Sequence, residues 1–152
     1  MSVAVHYRFS QHFAVSANDA YLWCTDFNPH DPVLMGEPNT KRQITQLTEN
    51  LLILKETCPT EHGTVAKEKI IHLYPDRLMW VSMHLSGPNK YSQFIYEISA
   101  EKGGSTLAFT AHHIEHQKLT KKETDQLAEE LCKYDSGVWL LLAKAMKKEL
   151  NP

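Results

Sequence analysis

This chain of 152 residues has no paired cysteine motif, no long apolar run and no excess charge of either sign. Each absence removes a class of function. The three cysteines, Cys24, Cys58 and Cys132, are odd in number, widely separated and outside any CxxC or Cys/His ligand spacing, so they read as reduced thiols filling small core volumes. The longest apolar run, Val138–Ala143, falls far short of the roughly 20 residues that span a bilayer. The opening MSVAVHYRF has no basic flank before an apolar stretch, so a cytoplasmic protein without integral membrane association is expected. Lysine plus arginine total 16 against 18 aspartates and glutamates, a balance that offers nucleic acid no attractive field.

Familiar chemical motifs are also missing. Gly103-Gly104 joins two strands instead of opening a helix, and Gly137 lies inside one, so no glycine loop cradles a phosphate. There is no GxSxG elbow and no cysteine-protease signature. Nine histidines invite a metal, above all His112, His113 and His116, but strand alternation turns His113 away from the other two. No metal and no cofactor are expected.

What is present is a 42% hydrophobic chain, enough to build a sizeable core, with no repeat or linker to divide it. One domain over residues 1–152 is expected. Val3, Val5, Tyr7 and Phe9 alternate with Ala4, His6, Arg8 and Ser10, which predicts a half-buried strand. Ser16 caps a short helix with Asp19 reaching back to it; Ala20, Leu22, Trp23 and Phe27 supply its apolar contacts, and it closes near Asp26. Prolines 29, 32 and 38 limit the next helix to a turn or two.

Six strand-like runs follow, at Arg42–Thr48, Leu51–Thr57, Thr64–Tyr74, Arg77–Leu85, Tyr91–Ala100 and Ser105–His116, separated by short turns. Short links imply an antiparallel meander. Thr120, with Glu123 at the capping-box position, then opens a long helix to Leu150, acidic early and lysine-rich late. The fold class is α+β in the order βααββββββα.

That order resembles the START and Bet v 1-like (SRPBCC) superfamily, in which a seven-stranded curved antiparallel sheet grips a C-terminal helix, the helix-grip fold. Two segments carry the local likeness: Val15-Ser16-Ala17-Asn18-Asp19-Ala20-Tyr21-Leu22-Trp23-Cys24-Thr25-Asp26-Phe27, and the glycine turn with its threonine-rich strand, Gly103-Gly104-Ser105-Thr106-Leu107-Ala108-Phe109-Thr110. The resemblance implies a cavity between sheet and helix that takes a hydrophobic or amphipathic small molecule, a lipid or an aromatic metabolite. Two branches imply alternatives: acid/base chemistry as in polyketide cyclase/dehydratases, or a protein partner as in Hsp90 activators. Whether the molecule is transformed, and whether the chain forms a homodimer, stay open in the sequence.

Candidate ligand-facing residues come from periodicity. Leu127, Leu131, Tyr134, Val138, Leu141, Leu142 and Ala145 form a helical stripe expected to face the sheet, widened by Ala128, Cys132, Trp139 and Met146. Asp135 projects between Leu131, Leu142 and Trp139. A carboxylate there needs a partner, so it either contacts ligand or sits at the sector's edge against an arginine, a lysine or sheet backbone. An even-residue loop at Glu101–Gly104 places Phe94, Tyr96 and Ile98 on one face with Leu107, Phe109, Ala111 and His113, and leaves Gln93, Glu97, Thr106, Thr110 and His112 outward. The loop Ser86–Lys90 allows either Trp80, Ser82 and His84 or Met79, Val81 and Met83 to join that inner face; Trp80 opposite Tyr96 is the better aromatic pair. The candidate site is then Trp80, Ser82, His84, Phe94, Tyr96, Phe109, His113, Asp135, Trp139 and Leu142, with Asp135 and His84 the weak candidates for catalysis.

Overall fold

The computed structural model describes residues 2–151. Strand β1 (Val3–Phe13) leads into helices α1 (Ala17–Cys24) and α2 (Asp31–Leu34). Six strands follow: β2 (Lys41–Thr48), β3 (Leu51–Thr60), β4 (Gly63–Tyr74), β5 (Met79–His84), β6 (Gln93–Glu101) and β7 (Gly104–Glu115). Helix α3 (Lys121–Leu150) closes the chain. The seven strands form one antiparallel sheet in the order β1-β7-β6-β5-β4-β3-β2, so the meander is complete and β1 returns beside the last strand. This is the expected helix-grip arrangement.

Element ends follow local chemistry. Ser16 accepts from Asp19 N at 3.2 Å, so the contact is made by the Asp19 backbone N–H and not by its carboxylate. That helix ends at Cys24, two residues before Asp26, and its Leu22 is 67% exposed instead of packed. The capping box at α3 is complete: Thr120 Oγ1 accepts from Glu123 N while Glu123 Oε2 accepts from Thr120 N at 2.8 Å. Strand β5 starts at Met79 and not at Arg77, because Pro75–Arg77 form a 3-10 turn and Leu78 takes a left-handed φ of 51°. A side chain at Gly104 would bring its Cβ within 2.1 Å of Phe13 O, so only glycine lets the β6–β7 turn approach the end of β1.

Helix α3, about 45 Å long at 1.5 Å per residue, lies over the concave face and packs along β1. Its buried face differs from the expected stripe. Leu142, Ala143 and Met146 are buried, with Leu131, Cys132, Asp135, Val138 and Trp139 partly so, whereas Tyr134 and Leu141 are 58% and 45% exposed. The large Trp139 and Met146 take the central space, which turns the helix by about one residue, or ~100°, from the alignment a simple apolar count selects. Tyr134 instead sits on the outside, its O–H donating to Glu37 at 3.3 Å. Asp135 therefore moves from the edge of the sector towards its middle.

Of the three free thiols only Cys24 is buried; Cys58 and Cys132 are half-exposed, so the expected core role holds for one. Gly137 and Leu140 point away from the sheet, as spacing predicts. On the outer sheet face Gln93 and Glu97 are exposed, but Thr106, Thr110 and His112 are half-buried under neighbours such as His6, whose Nδ1 lies 2.8 Å from that of His112.

Candidate functional site

The strand register lays the inner sheet face out in rows that change from aromatic to charged. The first runs Leu73, Trp80, Tyr96, Phe109 and Phe9 across five strands. Two residues along, the next runs Leu52, Ile71, Ser82, Phe94, Ala111 and Tyr7. Beyond it come Leu54, Lys69 and His84, and then Arg42, Glu56 and Lys67. Period-two alternation produces this gradient, since every member of a row leaves its strand on the same side. Trp80, Ser82 and His84, and not Met79, Val81 and Met83, share the face of Phe94.

Between these rows, α2 and α3 lies a cavity of about 350 Å³, near the small end of the size range of ligand pockets. All ten residues singled out in the sequence line it: Trp80, Ser82, His84, Phe94, Tyr96, Phe109, His113, Asp135, Trp139 and Leu142. Its aromatic end is ordered by direct ring contacts. Trp80 and Tyr96 stack with centroids 4.6 Å apart and planes 4° from parallel, and Trp139 tilts onto both, 6.4 Å from Trp80 and 5.8 Å from Tyr96. Burial raises the Tyr96 phenol well above its ordinary pKa and keeps it neutral.

On the helix side, Tyr7 donates its O–H to Asp135 Oδ2. Burial raises the Asp135 carboxyl above the ordinary aspartate value, and the Tyr7 bond opposes that rise without cancelling it. Burial first, and then that same bond, push the Tyr7 phenol up in turn. The partner of Asp135 is thus a phenol from the first strand and not an arginine, a lysine or backbone. His113, 4% exposed, meets Glu115 Oε2 at 3.0 Å.

The charged end is a chain of alternating sign. Asp31, on α2, accepts from Arg42 Nη1 at 3.0 Å; Arg42 Nε donates to Glu56 Oε2 at 3.1 Å; and Lys69 donates to Glu56 Oε1. Burial would raise the Glu56 carboxyl, but Lys69 and Arg42 outweigh it and hold the group at about 2. Asp31, with only Arg42 against its burial, is pushed up to about 6. Nothing in residue spacing names the partners in this chain; its signal is strict alternation, which places Glu56 inward after the apolar Leu52 and Leu54 of β3, directly opposite Arg42.

His84 lies beside Lys69 on the adjacent strand. Burial, reinforced by Lys69 and Lys67, lowers its pKa to about 3, so the imidazole is neutral at physiological pH. Its Nδ1 is buried with no hydrogen-bond partner, as is Thr40 Oγ1 in the same lining. Ser82 and His84 share a face as predicted, but Asp135 bonds Tyr7 and neither of them. Among the described residues no group of three or more metal-ligating side chains converges, and no helix is long and apolar enough to cross a membrane.

No protein-family profile matches the chain, and no curated protein does. Solved structures do. The di-domain ARO/CYC StfQ from the steffimycin biosynthetic pathway superposes with a TM-score of 0.74 at 14% identity, over 97% of this chain and 51% of that one. The chain thus spans about half the length of that di-domain protein. A START superfamily protein from Mycobacterium smegmatis matches at 0.69 and 14% identity over 95% and 98% of the two chains, and Ara h 8.0201 at 0.73 and 11% identity over 96% and 99%. The chain has the START/Bet v 1-like helix-grip fold.

Proposed function

We propose that this START/Bet v 1-like chain binds one hydrophobic or amphipathic small molecule between its sheet and α3. The observation that carries the reading is the 350 Å³ space itself, graded from an aromatic end, where Trp139 tilts onto the stacked Trp80–Tyr96 pair, to a charged one. An apolar body gains from leaving water at one end, and a few fixed polar groups orient it from the other. Native mass spectrometry of the protein as purified, with titration of the empty form by a naphthalene-based fluorophore, tests it. A one-to-one adduct or saturable one-to-one binding is expected. Absence of both overturns the reading.

A second reading, acid/base transformation of the bound molecule, is favoured by the Tyr7–Asp135 pair, in which a carboxyl with a raised pKa faces the cavity beside a phenol. The superposition on the di-domain ARO/CYC StfQ is consistent with it. With a substrate in hand, Asp135→Asn and His84→Gln separate the two: a turnover rate unchanged in both variants removes the catalytic assignment and leaves the binding one.

A further inference from the structure

We propose that the charged end of the cavity recognises a carboxylate, placed between Lys67 and His84, so that the ligand is a small aromatic carboxylic acid. This rests on the cavity-binding reading and names its ligand class. Asp31, Arg42, Glu56 and Lys69 satisfy one another and together carry no net charge when ionised. Lys67, directly opposite Glu56 on β4, lines the same cavity but takes part in none of the ion pairs among the described residues. It is the one positive charge of the charged end left over.

The second observation is the His84 imidazole, 7% exposed, with Nδ1 buried and unpartnered. Buried polar atoms are normally satisfied, so an unsatisfied one in a cavity wall indicates a partner that arrives with the ligand. Because the ring is neutral, it can turn its N–H to a carboxylate oxygen without competing with Lys67 for charge.

The third is what holds these two groups together. The β5–β6 turn folds over the stem of Lys67: at Gly87, with φ of +93°, a Cβ would lie 3.1 Å from Lys67 Cγ, closer than ordinary packing allows. The same turn begins at His84 and contributes Asn89, a further amide donor, to the lining. From Lys67 and His84 the rows lead through Ser82 and Phe94 to the Trp80–Tyr96 stack, the surface a flat aromatic body would cover.

The test compares 1-naphthoate with its neutral isostere 1-naphthamide by calorimetry on the full chain at pH 7.5. The acid is expected to bind about tenfold more tightly, as one charge-assisted contact supplies. Lys67→Gln is expected to reduce that preference to about twofold or less, and Lys67→Arg to retain most of it. His84→Leu, which removes the ring donor, is expected to weaken the preference as well. Equal binding of acid and amide, or a preference that survives in Lys67→Gln, overturns the carboxylate assignment and leaves the cavity reading standing. Failure of both probes to bind overturns the two together.

Discussion

Tyr7 and Asp135, 128 positions apart in the sequence, meet in a single hydrogen bond that ties the first strand to the last helix at the cavity wall. The phenol is the only hydrogen-bond donor this carboxylate has among the described residues, so the pair sets both the local stability and the protonation state of the site.

Tyr7→Phe leaves a part-buried carboxylate without its donor. A loss of about 1–3 kcal/mol is expected when Asp135 is ionised. A raised carboxyl pKa costs stability as pH rises above the unfolded value, and removing Tyr7 steepens that cost. Urea curves at pH 8 and pH 4 check it: the loss is larger at pH 8. Asp135→Asn, which keeps an acceptor and has no charge to bury, is expected to match or exceed the parent at pH 8. Equal losses for Tyr7→Phe at both pH values would contradict this account.

His84 gives the fold a defined acid sensitivity. Its folded pKa of about 3 lies below the ordinary 6.5, so the unfolded chain binds the proton first. The contribution of the neutral ring is whole above pH 6.5 and declines as pH falls towards 3. Asp31, raised from 3.8 to about 6, acts with the opposite sign between those values, and Glu56, lowered from 4.5 to about 2, weakens the fold as pH falls from 4.5 towards 2. The difference between parent and His84→Gln isolates the imidazole: the variant loses less stability between pH 6.5 and 4. Parallel pH profiles would show that the ring titrates normally.

Glu56→Gln breaks the charged chain at its centre and leaves Arg42 and Lys69, with side chains 8% and 22% exposed, facing each other across a neutral amide. A cost of about 3 kcal/mol is expected. Because Arg42 also holds Asp31, the α2 segment should loosen with it, read as faster amide exchange at Val33 and Met35, whose N–H groups bond within that turn.

Ser82→Leu fills the cavity from its floor, since Ser82 is 5% exposed and faces the lining between Ile71 and Phe94. Overpacking of about 1–3 kcal/mol is the upper range of its effect on stability. Binding of the naphthalene probe is expected to fall by about tenfold or more, while circular dichroism stays that of the parent. Undiminished binding would place the ligand elsewhere.

Much of this is legible in the sequence, for a physical reason. Strand and helix periods fix which side of an element a residue leaves from, so Phe94, Tyr96, Phe109 and His113 fell on one wall, and the better aromatic pair chose Trp80, Ser82 and His84 correctly. Helix α3 shows the limit of the same method. Counting apolar positions gave Tyr134 and Leu141 a place at the sheet, but the shape and volume of Trp139 and Met146 decide which flank of a broad apolar sector goes in. The Tyr7–Asp135 bond and the Arg42–Glu56–Lys69 chain were hidden for another reason. The first joins elements 128 positions apart and the second crosses three consecutive strands, and nothing in spacing encodes a partner on another element.

The return of β1 to the side of β7 also sets when the molecule can fold. His6 pairs with His112, 106 positions later, so the first strand of this sheet to be synthesised has no sheet neighbour until β7 has been made. The β2–β7 meander can zip locally, each strand against the one just synthesised. β1 must wait, and the closure of that long loop is the slow, entropically costly step of a β-rich chain. α3, which packs along β1, cannot find its seat earlier, so the cavity comes into being only at the end of folding.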